Sequence, residues 1–129
     1  MNKYNFIEPC EHNNYCIFDK ELEQNPNIVF HTTPEEKFQS ITKNGFLSAK
    51  KLGIGGDTAL TSVSYAKKSS GCVHHRGLNQ DRDYVVFAVK FEDIKDKKIV
   101  DGGDVVYVYT DLQPTIIGYM IIPKEFQLK

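Results

Sequence analysis

The strongest apolar pattern lies late in the chain. Residues 84–89, Tyr-Val-Val-Phe-Ala-Val, are unbroken, β-branched and aromatic, which predicts a strand buried on both faces and central in its sheet. Residues 104–110 and 116–122 have the same character; a turn at 111–115 containing Pro114 separates them, and Pro123 closes the second. Earlier, Ile28, Val29 and Phe30 make a shorter apolar run that predicts another strand. It leads directly into a helix signature, with Thr33 as N-cap, Pro34 at the first helical position and a following Glu placed to close a capping box. Phe38 and Ile41 share one face and Asn44-Gly45 supplies a left-handed stop, so the spacing predicts a helix over 34–44.

Elsewhere the pattern is weaker. Gly53, Gly55 and Gly56 mark 48–58 as a flexible loop, and neither a dinucleotide fingerprint nor a phosphate-loop lysine follows them. Residues 59–62 read as a short strand, 63–70 as a small helix stopped at Ser69-Ser70-Gly71, and 72–83 as an exposed polar connection. Residues 92–98 read as a solvated charged turn and 101–103 as a tight turn. In the first 27 residues, 4–7 and 15–18 are short apolar pieces, the second a strand or edge element, and 19–22 reads as a helical turn. Early helices and late sequential strands predict an α+β fold with a mixed or antiparallel sheet. At 129 residues, with 40% hydrophobic and 12% aromatic content, one domain spanning 1–129 is expected.

Charge changes the picture little. Sixteen Lys and Arg against seventeen Asp and Glu leave a net charge of −1, so a polyanion would need a local patch. No signal-peptide core and no membrane span occurs in the sequence, which predicts a cytoplasmic protein, or one delivered by machinery that needs neither. Cys10, Cys16 and Cys72 are an odd number, favouring reduced thiols over a disulfide framework. With His12, His74 and His75 they offer six candidate zinc ligands, but the Cys-x-His-x3-Cys spacing fits no common ligand pattern, so no metal is expected.

The candidate chemistry centres on His31, Thr32 and Thr33, polar residues at a strand end running into a helix N-terminus, a place suited to a phosphate-bearing or amide ligand. As a helix N-cap, Thr33 has a structural explanation already, so Thr32 is the hydroxyl that needs a ligand. Tyr65 has a ring that either stacks on a ligand or covers the core, and for Tyr107 or Tyr109 core packing is expected. His74, His75 and Arg76 suit a pyrophosphate or an acidic target, or form a merely solvated loop.

Taken in order, the strand ending in His31-Thr32-Thr33, the helix closing on Asn44-Gly45-Phe46, the glycine loop, Leu60-Thr61-Ser62 with Tyr65, and the late paired strands resemble the ADP-ribosyltransferase fold, in its diphtheria-toxin and poly(ADP-ribose) polymerase branch. The resemblance implies NAD as substrate. His31, Thr32 and Thr33 would hold the nicotinamide and its ribose, Thr61 and Ser62 would flank them, and Tyr65 would stack. The third motif departs from the family pattern: no Glu lies near that strand, and Asp104 at its start is the nearest carboxylate, one methylene shorter. The implied function is mono-ADP-ribosyl transfer to a protein or nucleic acid, as in toxins and effectors, by a monomer that uses His31, Tyr65 and Asp104. A catalytically inactive nucleotide- or partner-binding module of the same fold is the alternative. An RNA 2′-phosphotransferase-like enzyme comes third; its phosphate contacts would have to come from Lys50, Lys51, Lys67, Lys68 and Arg76.

Overall fold

The computed structural model describes residues 1–76 and 81–126, with the side chains of His75 and Arg76 outside the described part. Among the described residues seven strands form one open sheet: β1 (Asn2–Tyr4), β2 (Ile28–Pro34), β3 (Val63–Ala66), β4 (Tyr84–Lys90), β5 (Ile99–Asp101), β6 (Val105–Val108) and β7 (Thr115–Ile122). Their spatial order is β1-β7-β4-β2-β3-β6-β5, antiparallel throughout except for the β1–β7 pair. Four short helices among the described residues, α1 (Lys20–Gln24), α2 (Phe38–Asn44), α3 (Ala49–Leu52) and α4 (Ser69–Arg76), give an α+β architecture.

β4 is as central as its composition requires. It pairs with β2 and with β7 along its whole length, and from Tyr84 to Val89 every residue is buried. Alternation splits the apolar side chains into two cores, as the two-residue period of a strand dictates. One core holds Phe30, Val86, Ala88, Met120 and Ile122 beneath Cys72 and Val73 of α4; the other holds Val29, Val85, Phe87, Tyr65, Val106 and Phe46. Gly118 lets β1 close on β7, since a Cβ there would lie 2.5 Å from the Asn2 carbonyl oxygen.

Several elements differ from the sequence reading, and long-range partners explain each difference. Residues 33 and 34 continue β2, where Thr33 pairs with Val85 and Pro34 with Tyr84, and the Glu35 N–H goes to the Asp83 carbonyl at 3.0 Å. A capping box contributes roughly 1 kcal/mol, and pairing against a buried central strand outweighs it. A 3₁₀ turn at Glu35–Lys37 follows, and α2 starts only at Phe38, so Thr33 is not a helix cap and no helix N-terminus opens at His31. The stop falls where expected: Gly45 has φ +84° and its N–H reaches the Ile41 carbonyl.

Residues 63–66 are strand β3 rather than helix, with Val63 and Tyr65 buried and Ser64 exposed. Residues 59–62 form no strand, nor do 15–18, although Ile17 and Phe18 are core residues. The polar 72–83 stretch opens inside α4, and the charged turns at 92–103 enclose β5. β1 lay unnoticed in the sequence. On β6, Val106 and Val108 take the core and Tyr107 is half-buried over Gly102, whereas Tyr109, just past the strand, is exposed.

Helix α4 is fixed to the N-terminal segment through buried polar groups. The Glu23 carboxylate accepts from the Ser69 N–H at 3.1 Å and from the Ser69 hydroxyl, whose oxygen in turn accepts the Ile17 N–H at 2.8 Å. The negative carboxylate at the start of the helix satisfies one of its free donors. Among the described residues no helix is long and apolar enough to cross a membrane.

Candidate functional site

The sheet is incomplete at one place. β2 and β3 are registered through a single pair, Phe30 with Ala66, whereas β2 and β4 share seven. Past that pair β2 and β3 part, and two cavities open with His31 on the wall of both. The larger, of 290 Å³, lies beneath α4 and is lined by His31, Thr32, Ser64, Cys72, Asp104 and Val105 together with Phe30, Ala66 and Gly71. The smaller, of 120 Å³, is on the opposite side, walled by Thr33, Lys37, Phe46, Leu47 and Leu52 among others.

His31 bridges the parting strands. Its Nδ1 lies 2.8 Å from the Ser64 carbonyl oxygen, and because a carbonyl only accepts, Nδ1 carries the hydrogen. Its flanks are aromatic: the Phe46 ring meets it edge-on with centroids 5.1 Å apart, and Tyr65 lies 5.6 Å away. A narrow range of ring orientations follows from these contacts.

Thr32 points to a ligand more directly than any other group. Its Oγ1 is buried and, among the described residues, is the one buried side-chain N or O atom without a hydrogen-bond partner. Leaving such a group unpaired costs roughly 1–3 kcal/mol, a penalty that a bound hydroxyl or amide would remove. Hollows of 530 and 700 Å³ elsewhere are larger but contain no such orphaned atom. Asp104 lies just before β6 on the rim of the 290 Å³ cleft, with an exposed side chain, and its carbonyl holds the Lys67 N–H at 2.9 Å. Among the described lining residues of this cleft none is Lys or Arg.

The other predicted site residues fall elsewhere. Tyr65 is 1% exposed in the second core, edge-on to Phe91 at 5.2 Å and Phe46 at 5.5 Å, so its ring faces are closed to a ligand and it can only support His31. Burial holds its phenol well above the usual range, in the neutral form. Thr33 lines the smaller cavity, while Thr61 and Ser62 stand in the loop before β3 and line neither. His74 is exposed on α4 with Nδ1 on the Ser70 carbonyl, and the side chains of His75 and Arg76 lie outside the described residues. Cys72 borders the cleft, but burial first and the Glu23 charge second push its thiol up, which leaves it a poor nucleophile. Cys10, Cys16 and Cys72 are all free thiols. Ser64, which holds His31, was missed in the sequence; the Val-Ser-Tyr-Ala alternation was the available signal.

No family model, curated protein or solved structure matches this chain.

Proposed function

We propose that this protein is an NAD-dependent mono-ADP-ribosyltransferase acting on a macromolecular target, with the nicotinamide–ribose half of NAD in the cleft between β2 and β3. The observation that carries the reading is the buried, unpartnered Thr32 hydroxyl beside His31 in a gap of an otherwise continuous sheet. A cleft of 290 Å³ is at the small end of ligand sites, which run to roughly 300–1,000 Å³, and suits half of a dinucleotide better than the whole.

In this reading Thr32 Oγ1, with His31 on the cleft wall, holds the carboxamide or a ribose hydroxyl. The bond from ribose C1′ to nicotinamide breaks with its electron pair going to the ring nitrogen. The acceptor's lone pair forms the new bond to C1′, and the acceptor's proton passes to solvent or to Asp104. The Asp104 carboxylate faces the positive charge that develops on the ribose. The test is nicotinamide release and label transfer from NAD to lysate protein or nucleic acid. His31→Ala and Asp104→Asn should each lower turnover by about 10²-fold or more. Label transfer unaffected by both changes would remove this site from the chemistry.

One observation favours a second reading, a nucleotide-binding module without turnover. Asp104 is exposed on the rim, where water weakens a carboxylate's hold on developing charge. Tight NAD or ADP-ribose binding in calorimetry with no nicotinamide released would establish it.

A further inference from the structure

We infer that Gln113 is a positioning residue for His31, acting through Phe46. The inference rests on the reading above only in taking His31 as part of the functional site. Phe46 lies in an irregular stretch after α2, where no strand ladder or helix holds its backbone. Gln113, sixty-seven residues further on in the β6–β7 connection, takes the place of a ladder. Its Oε1 accepts the Phe46 N–H at 2.8 Å and its Nε2 donates to the Phe46 carbonyl at 2.8 Å, so one side-chain amide satisfies both polar backbone atoms of one residue. Gly45 accommodates this clamp, since a Cβ there would come within 2.8 Å of Gln113 Oε1. A salt bridge from Lys51 of α3 to Asp111 joins the next element to the same β6–β7 connection.

The held residue is the one that orients His31. Phe46 is 3% exposed, and its ring stands edge-on to His31, Tyr65 and Phe87 with centroids 5.1 to 5.5 Å apart. The Phe46 edge limits rotation of the imidazole about its Nδ1 hydrogen bond to Ser64. The clamp needs one acceptor and one donor side by side, which the neutral amide offers. A carboxylate would set an oxygen against the Phe46 carbonyl.

The test reads the His31 ring itself and needs no NAD. In protein labelled with ¹⁵N-histidine, long-range proton–nitrogen spectra should show the Nδ1–H form of His31 in the wild type. In Gln113→Ala the same signals should shift towards the tautomer average, while amides of β4 and β7 stay in place. Gln113→Glu should reproduce the displaced Phe46 amide at neutral pH and restore it below the carboxyl pKa of about 4.3, where the protonated acid again offers donor and acceptor. Should Gln113→Ala fail to fold, Gln113→Glu carries the test through the His31 signals at neutral pH. Unchanged His31 ring signals in the folded variant would overturn the inference. In calorimetry Gln113→Ala should bind NAD about tenfold more weakly, about 1.4 kcal/mol. A wild type that binds no NAD defeats the nucleotide reading and leaves the ring spectra to decide this one.

Discussion

Strand β2 has two unlike edges. Against β4 it is registered over seven residues, with Val85, Val86 and Phe87 fully buried opposite Thr33, Thr32 and His31. Against β3 it is registered at one residue, and a histidine ring spans the strands where the ladder would continue. The first edge satisfies its backbone groups and buries apolar side chains, which is what stabilises a sheet. The second leaves a buried hydroxyl unpaired and opens two cavities with His31 on the wall of both. Stability and candidate chemistry thus lie back to back on the same seven residues, so substitutions on the two sides should have opposite signatures.

The largest effect belongs to the closed side. Met120 on β7 is fully buried opposite Val86, and Met120→Ala should cost about 2–5 kcal/mol in denaturant unfolding without touching the cleft. A loss below about 1 kcal/mol would mean that this edge is not the stabilising one. Tyr65 sharpens the contrast through pH. Its phenol is raised in the folded protein, so its contribution is complete below the unfolded value of about 10 and is lost as pH climbs above it. Tyr65→Phe should therefore melt with a shallower alkaline decline than the wild type. Parallel curves above pH 10 would show that the ring is not enclosed. The smallest effect, and the one of opposite sign, is at the open side. Thr32→Val removes a buried hydroxyl that has no partner, and should leave thermal stability unchanged or raise it by about 1 kcal/mol. A marked loss would mean that the hydroxyl already has a structural bond.

What the sequence disclosed follows the range of the interactions involved. β4, β6 and β7 were legible because apolar and β-branched content is a local property, and so was the stop at Gly45. His31 and Thr32 stood out as polar residues at the end of an apolar strand. The cleft was not legible, because it depends on β2 and β3 parting beyond one pair thirty-six residues apart in sequence. Tyr65 was misassigned for a related reason: four alternating residues before Ser69-Ser70-Gly71 read equally well as a helical turn until the pairing of Tyr65 with Val106 decides. Glu23 at the start of α4 and Gln113 at Phe46 leave no local trace, since each meets its partner across 46 and 67 residues.

The central claim is that the gap between β2 and β3 is a nucleotide site, and amide chemical-shift mapping with NAD tests it most directly. Titration to millimolar NAD should move resonances on both banks of the gap, at Thr32, Ser64, Gly71 and Asp104, and Thr32→Val should weaken the same shifts about tenfold or more. Shifts gathered instead around Glu23 and Lys68 at the larger hollows, or shifts at the gap that Thr32→Val leaves unaltered, would contradict it.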